Sequence, residues 1–193
     1  MKVLLVDHED SFVHNIEQAL EARGAEVRCV RPNVPRASVV AYDPDAVVLS
    51  PGPGHPSDRR LTGLSRYLLH RWVAERPFLG VCLGHQLVGE YYGATVGRAR
   101  VPVHGEVRSI RHDGQRLFDG VPTPTLVARY HSLVVRRAGL PPELEVTAQD
   151  SEGIVMGLRH RRKPVESVQF HPESYLTPYG PRMLGNFIHG LNR

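Results

Sequence analysis

Three short stretches carry the residue types and spacings that could do chemistry. The first is Phe78 to Glu90 (FLGVCLGHQLVGE), in which Cys82 has a glycine two residues before it and another two after, at Gly80 and Gly84. The apolar run Phe78–Val81 reads as a buried strand, and a helical pattern begins a few residues beyond the cysteine. A strand that turns so sharply into a helix needs small neighbours, because a Cβ there would collide with the turn. The sulfur is then presented at a helix N-terminus, which favours thiolate over thiol and points to a nucleophile. A buried structural cysteine is the competing reading.

The second stretch, Ser50–Pro56 (SPGPGHP), alternates Pro51, Pro53 and Pro56, which lack a backbone N–H, with Gly52 and Gly54, which have one. Taken alone it is a plain Pro/Gly turn. Beside a reactive cysteine, a stiff loop with unpaired glycine amides is what an oxyanion site needs. The third stretch ends the apolar run Val165–Phe170: His171 follows it, and Glu173 lies two residues on, with Pro172 between them. A cysteine nucleophile needs a base that a third group orients. A carboxylate on the far imidazole nitrogen holds the tautomer and stabilises the imidazolium. Cys82 then attacks, His171 shuttles the proton and Glu173 orients.

These residues have to be positioned by strands. Lys2–Val6 is a continuous apolar strand of the kind buried on both faces of a parallel sheet. Asp10 or Ser11 can cap a helix carrying Phe12, Val13, Ile16, Ala19 and Leu20, with Gly24 as its stop. Glu26–Val30 alternates as a second strand and takes Cys29 with it as a structural cysteine. Pro32 and Pro35 punctuate a loop, and Ala46–Ser50 is a third strand. Leu61, Leu64, Leu68, Trp72 and Val73 mark a helix ending at Arg76-Pro77, and a short helix from about His85 to Tyr92 closes at Gly93. Ligands of such open sheets bind at the carboxyl ends of the strands. Asp7-His8-Glu9-Asp10, Pro51–Gly54 and Cys82 all fall there. Beyond Gly93 the texture changes to short alternating runs, Val103–Ile110, Thr125–Val135, Leu144–Ala148, Ile154–Arg159 and Val165–Phe170, which read as antiparallel or mixed strands beside the parallel sheet. A helix with Met183, Leu184, Phe187, Ile188 and Leu191 ends the chain.

Bulk properties narrow the function classes. A length of 193 residues suits a single domain, 1–193, whose core needs no disulfides. Cys29 and Cys82 are too few for a disulfide framework and fit a reducing, cytoplasmic setting. The opening apolar run is too short for a signal segment, and no stretch approaches the length of a membrane span. The net charge of +4 is dispersed among acids. Its densest cluster, Arg159 to Lys163, reads as a solvated hairpin tip, without the aromatic interleaving of a nucleic-acid patch. His104, His112 and His131 fall in different segments, with neither HExxH nor paired Cys/His spacing, so no metal site is expected.

These stretches together resemble the class I glutamine amidotransferases, and within them the small (component II) subunits of anthranilate synthase and aminodeoxychorismate synthase. The segments that carry the resemblance run nearly end to end: VDHEDSF from Val6, LSPGPGHP from Leu49, GVCLGHQ from Gly80, His104-Gly105, RYHSLVV from Arg129 and VQFHPES from Val168. The resemblance implies a three-layer α/β fold, flavodoxin-like, with an open, mostly parallel sheet and added antiparallel strands. It implies that Cys82 forms a γ-glutamyl thioester, that His171 and Glu173 complete its triad, and that the amides of Gly52 and Leu83 form the oxyanion hole. Glutamine would be held by Gln86 and by the backbone of Gly52, Pro53, Gly54, Ser132 and Leu133.

No cofactor is implied in this chain. The implied partner is a magnesium-dependent, chorismate-using synthase on a separate polypeptide, since every segment is assigned to the amidotransferase fold. Ammonia released into neutral water is mostly protonated, so a tunnel to that partner is expected. The common pattern after Asp7 is asparagine and tyrosine, where this chain has His8-Glu9. That variant resembles the amidotransferase parts of fused anthranilate synthases and of aminodeoxyisochorismate synthases. The product is thus open between anthranilate, the first choice, aminodeoxychorismate and aminodeoxyisochorismate. Two other classes fit less well. An intact triad and oxyanion loop argue against a non-catalytic docking subunit. The order histidine then acid argues against a hydrolase of the α/β-hydrolase type, in which the acid comes first.

Overall fold

The apolar runs that end in candidate site residues are apolar on both faces, so each must be covered on both sides. In the computed structural model, which describes residues 1–190 apart from the side chain of His104, the order of elements is β1 (Lys2–Val6), α1 (Val13–Glu21), β2 (Glu26–Val30), α2 (Arg36–Tyr42), β3 (Ala46–Leu49), α3 (Arg59–Trp72), β4 (Phe78–Val81), α4 (Leu83–Tyr91), β5 (Val96–His112), a 3-10 turn (Arg116–Phe118), β6 (Thr125–Val135), β7 (Leu144–Asp150), β8 (Val155–His160), β9 (Val165–Val168) and α5 (Gly180–Gly190). They build one nine-stranded sheet in the order β2-β1-β3-β4-β9-β8-β7-β5-β6. Pairing is parallel from β2 to β9 and antiparallel from β9 to β6. No helix among the described residues is long and apolar enough to cross a membrane.

Alternation along the strands separates two cores. Val3, Leu5, Val48, Leu79 and Val81 face one side, with Ile16 and Leu20 of α1 and Met183 and Leu184 of α5. Leu4, Val6, Val47, Leu49 and Phe78 face the other, with Leu64 and Leu68 of α3 and Leu87 of α4. Two helical layers around a central sheet are the expected three-layer α/β arrangement. Register brings the strand ends level: Leu49 pairs with Gly80, and Val81 with Val168. The residues that follow β3, β4 and β9 therefore meet along one rim.

Several elements depart from the sequence reading. Arg36–Tyr42 is a helix, not loop. It is short, with two adjacent β-branched residues, Val39 and Val40, and it forms because Val39 docks into the core beside β3. Neither Asp10 nor Ser11 caps α1. Phe12 is its N-cap, and the Asp10 carboxylate accepts the Phe12 amide at 2.8 Å in a turn ahead of the helix. β5 is far longer than the expected Val103–Ile110, because register shifts around Val103 and Gly105 interrupt the alternation without breaking the strand. Arg159 is not part of a solvated tip. It is buried and paired with Asp113 at 2.7 Å and Glu145 at 2.8 Å, and only Arg161, Arg162 and Lys163 make the turn. Leu191 and the His104 side chain lie outside the described residues.

Buried histidines tie helices to strands. His8, just after β1, donates from Nδ1 to the Ser50 carbonyl at 3.0 Å and accepts from the Ser65 hydroxyl of α3 at 2.8 Å through Nε2. His85 of α4 bonds Ser167 of β9 at 2.9 Å. Burial pulls their pKa values down to about 4 and about 3, respectively. Unfolded histidine titrates near 6.5, so between that value and the folded one only the unfolded chain binds the proton. Stability is intact above pH 6.5 and falls as pH drops through the window. It levels once the folded histidine itself is protonated. Urea unfolding at pH 7 and pH 4.5 should show this loss, and H8N, which removes the titrating group, should shrink it by up to roughly 3 kcal/mol.

Candidate active site

Cys82 follows the last residue of β4 and is the N-cap of α4, with φ of 51° and ψ of −100°. An L-residue held there is strained, typically by about 1–3 kcal/mol. That conformation lifts the sulfur out of the strand direction. The turn closes because Gly80 and Gly84 lack a Cβ. One on Gly80 would come within 2.6 Å of the Gly84 carbonyl oxygen. One on Gly84 would come within 2.8 Å of Leu49 Cβ and closer still to the Leu49 carbonyl oxygen. The sulfur is buried, 3.9 Å from the Tyr130 carbonyl oxygen and 3.8 Å from Gln169 Nε2.

The Pro/Gly loop leaves the end of β3 beside this elbow. A Cβ on Gly52 would fall 2.5 Å from the His8 carbonyl oxygen and 2.9 Å from Leu83 Cδ2, so only glycine lets the loop pack so close. Among the described residues, neither the Gly52 nor the Leu83 amide finds a hydrogen-bond acceptor. Gly54 turns the loop at φ of 81° and, with Pro53, is exposed.

His171 and Glu173 follow β9. The His171 amide donates to the Ala128 carbonyl at 3.0 Å, and its own carbonyl accepts the Thr177 hydroxyl at 2.7 Å, which pins the residue between β6 and the start of α5. Its Nδ1 bonds Glu173 Oε1 at 2.5 Å, and both side chains are buried. Nε2 therefore faces Cys82. It has no hydrogen bond of acceptable geometry among the described residues, and such contacts are often loose before substrate binds. Burial, the largest influence, disfavours the imidazolium. Cys82 and Glu173 outweigh it and hold the His171 pKa well above the ordinary value. A buried carboxylate whose Oε2 has no partner among the described residues needs such a countercharge. The Tyr130 and Phe12 rings stand edge-on to the imidazole, at 5.2 and 6.4 Å.

Gln86 points back from α4, donating from Nε2 to the Leu133 carbonyl and to Gln169 Oε1, both at 3.2 Å. Ser132, next to Leu133, is exposed. The acids after β1 are taken up locally, Asp7 accepting the Glu9 amide at 2.8 Å and pairing with Arg31 at 3.2 Å. Sequence reasoning missed Gln169 as a neighbour of the sulfur. Its segment, Val165–Phe170, also holds Glu166 and Ser167, so no local signal singled it out. A cavity of about 690 Å³ lies elsewhere, lined by Pro77, Arg116, Glu166 and Asn186 at the amino ends of β4 and β9, and it takes no part in this constellation.

The arrangement fits acyl transfer through a thiol. The family model for class I glutamine amidotransferases matches residues 4–191. Anthranilate synthase component 2 of Methanothermobacter marburgensis is 41% identical over 192 residues, which are 96% of this chain and 97% of that protein. Aminodeoxychorismate synthase of Streptomyces pristinaespiralis is 46% identical over 190 residues, 97% of this chain but 26% of that protein. The chain spans about a quarter of the length of such longer relatives. A solved structure of a Thermoplasma acidophilum protein assigned to GMP synthase superposes with a TM-score of 0.89 at 25% identity, covering 100% of this chain and 94% of that one. With a glycine-walled cysteine elbow, a histidine–glutamate pair beside it and a family match across nearly its whole length, the chain belongs to the class I glutamine amidotransferases.

Proposed function

We propose that this chain is the glutaminase component of a chorismate-using synthase, with anthranilate synthase as the first reading. The observation that carries the chemistry is the strained Cys82 elbow facing an imidazole whose other nitrogen is locked on Glu173. Cys82 Sγ attacks the side-chain carbonyl carbon of L-glutamine. The amides of Gly52 and Leu83 receive the developing oxyanion, and the imidazolium of His171 gives its proton to the departing nitrogen as the C–N bond breaks. Ammonia leaves, and the γ-glutamyl thioester remains on Cys82. Water, deprotonated by His171, then attacks the thioester, and glutamate is released. Gln86, with the backbone of Gly52, Pro53, Gly54, Ser132 and Leu133, holds the α-amino and α-carboxylate groups. The chemistry uses no cofactor of this chain, and the magnesium implied by the resemblance belongs to the synthase.

The partner reading rests on similarity over nearly the full length of the M. marburgensis component 2, and in this reading the synthase is a separate chain reached by an ammonia tunnel. Exposed aromatic rings flank the site at Phe12, Tyr175 and Tyr179, with Tyr175 89% exposed, as suits a surface that another protein covers. The residues form a single glutaminase domain working in a reducing, cytoplasmic setting, where a catalytic thiol stays reduced. The second reading, aminodeoxychorismate synthase, draws on the 46% identity to the Streptomyces protein.

Identification of the product formed from chorismate and glutamine by the chain with its synthase decides between the two. In that complex C82A should abolish the glutamine-dependent reaction and spare the reaction with ammonium salts. Equal loss of both would mean that Cys82 serves the fold or the interface. A glutamine-analogue electrophile should label Cys82 and leave Cys29, whose thiol burial and nearby Glu17 and Asp7 push up to about 11. No adduct at all would favour the non-catalytic docking reading. E173Q, which loses the anion behind His171, should lower glutaminase kcat by about a hundredfold or more. G52A, which drives the loop off His8 and Leu83, should lower it by about 10²–10³ through loss of one oxyanion donor.

A further inference from the structure

We propose that Arg129 and His131 are positioning residues that set the Leu133 carbonyl and, through it, the orientation of Gln86 in the glutamine site. The inference rests on the reading of Gln86 and Leu133 as glutamine-holding residues.

Residues 129, 131 and 133 alternate onto one face of β6. Arg129, His131 and Asp150 are all nearly buried, so their polar groups must be satisfied within the protein. Arg129 Nη1 meets Asp150 Oδ2 at 2.7 Å. Asp150 Oδ1 accepts the amides of Glu152 at 3.0 Å and Ile154 at 2.9 Å. The pair is thus neutral, hydrogen-bonded and anchored to the turn after β7, so the guanidinium has little freedom to turn.

Its Nε then reaches His131 Nε2 at 3.1 Å. A guanidinium N–H can only donate, so Nε2 must be the bare nitrogen. The imidazole proton therefore sits on Nδ1, which lies 3.0 Å from the Leu133 carbonyl oxygen and donates to it. Burial, then the Arg129 charge, keep His131 neutral, with a pKa lowered to about 4, so this tautomer persists at ordinary pH. The same carbonyl oxygen also accepts from Gln86 Nε2 at 3.2 Å. Flipping the Gln86 amide would set Oε1 against that carbonyl and against Gln169 Oε1, acceptor on acceptor at both contacts. Its Nε2 is thus committed to the protein, and Oε1 is the atom left to accept from a substrate ammonium group. Gln169 is oriented in turn, with its Nε2 toward the Cys82 sulfur at 3.8 Å. The tautomer chosen by a buried ion pair on one side of β6 therefore holds in place the carbonyl that fixes which end of the Gln86 amide faces the substrate.

Nitrogen-15 spectra of the wild-type protein test the first link directly. His131 should show a protonated Nδ1 and a bare Nε2, and a protonated Nε2 would overturn the proposal. Glutaminase kinetics of the complex test the second. In H131N the amide nitrogen superposes on Nδ1 and keeps the donor to Leu133. In H131Q the amide sits near Nε2 and loses that donor. H131Q should raise KM for glutamine about tenfold, as expected for one positioning hydrogen bond, whereas H131N should stay within about threefold of wild type. For both variants, kcat and the rate of Cys82 alkylation by iodoacetamide, which has no α-amino group to be held, should stay near wild type. Equal KM values for the two variants, or an H131Q loss shared by kcat and alkylation, would overturn the proposal and mark His131 as merely structural. Should neither variant fold, the tautomer alone decides. Unchanged KM in Q86L would instead sink the reading of Gln86 as a substrate contact, and glutaminase activity in C82A would sink the reading of the nucleophile, each separately from this proposal.

Discussion

The left-handed backbone at Cys82 is the constraint on which the rest of the molecule is built. A strain of about 1–3 kcal/mol has to be held by the surroundings, and here β4 is locked on both sides, by β3 and by β9, in a sheet buried on both faces. Phe78, Leu79 and Val81 are fully buried, each contributing about 1.5–3 kcal/mol, which is ample to hold one strained residue. The glycines at Gly80 and Gly84 let α4 drop against the end of β3, so the Pro/Gly loop and the cysteine share one rim. The register that levels Leu49, Val81 and Val168 then places the loop, the sulfur and the His171 segment within reach of one another.

Electrostatics sorts the histidines along that rim. His8, His85 and His131 are buried against hydroxyls, carbonyls or an arginine, and burial keeps them neutral. His171 is as deeply buried, yet its charged form is favoured by Glu173 on Nδ1 and by Cys82 nearby. One residue type thus takes opposite protonation states within a single site. What decides is whether a countercharge shares the burial.

Much of this was legible in the chain. The glycines around Cys82, the alternation of proline and glycine after β3 and the His171-Pro172-Glu173 spacing are local signals, because each answers a local steric or hydrogen-bonding demand. The β strands with apolar faces on both sides were readable for the same reason. The helix over Arg36–Tyr42 was not, since its short sequence, with Val39 and Val40 adjacent, has little intrinsic preference and forms only where the core receives Val39. The extent of β5 was hidden by bulges, which break the period of two without ending the pairing. Arg159 looked solvated among basic neighbours, because the carboxylates that bury it come from Asp113 and Glu145, far away in the chain.

The sequence by itself determined the alternation of buried strand and helix, the cysteine elbow at Cys82 and the His171–Glu173 pair, because these depend on neighbours within a few residues. Tertiary structure alone decided that Gln169 touches the sulfur, that Arg129 selects the His131 tautomer through Asp150, and that Gln86 and Leu133 share a hydrogen bond. Most of those contacts join residues from different elements, and their geometry follows from sheet order and register, which no single segment carries.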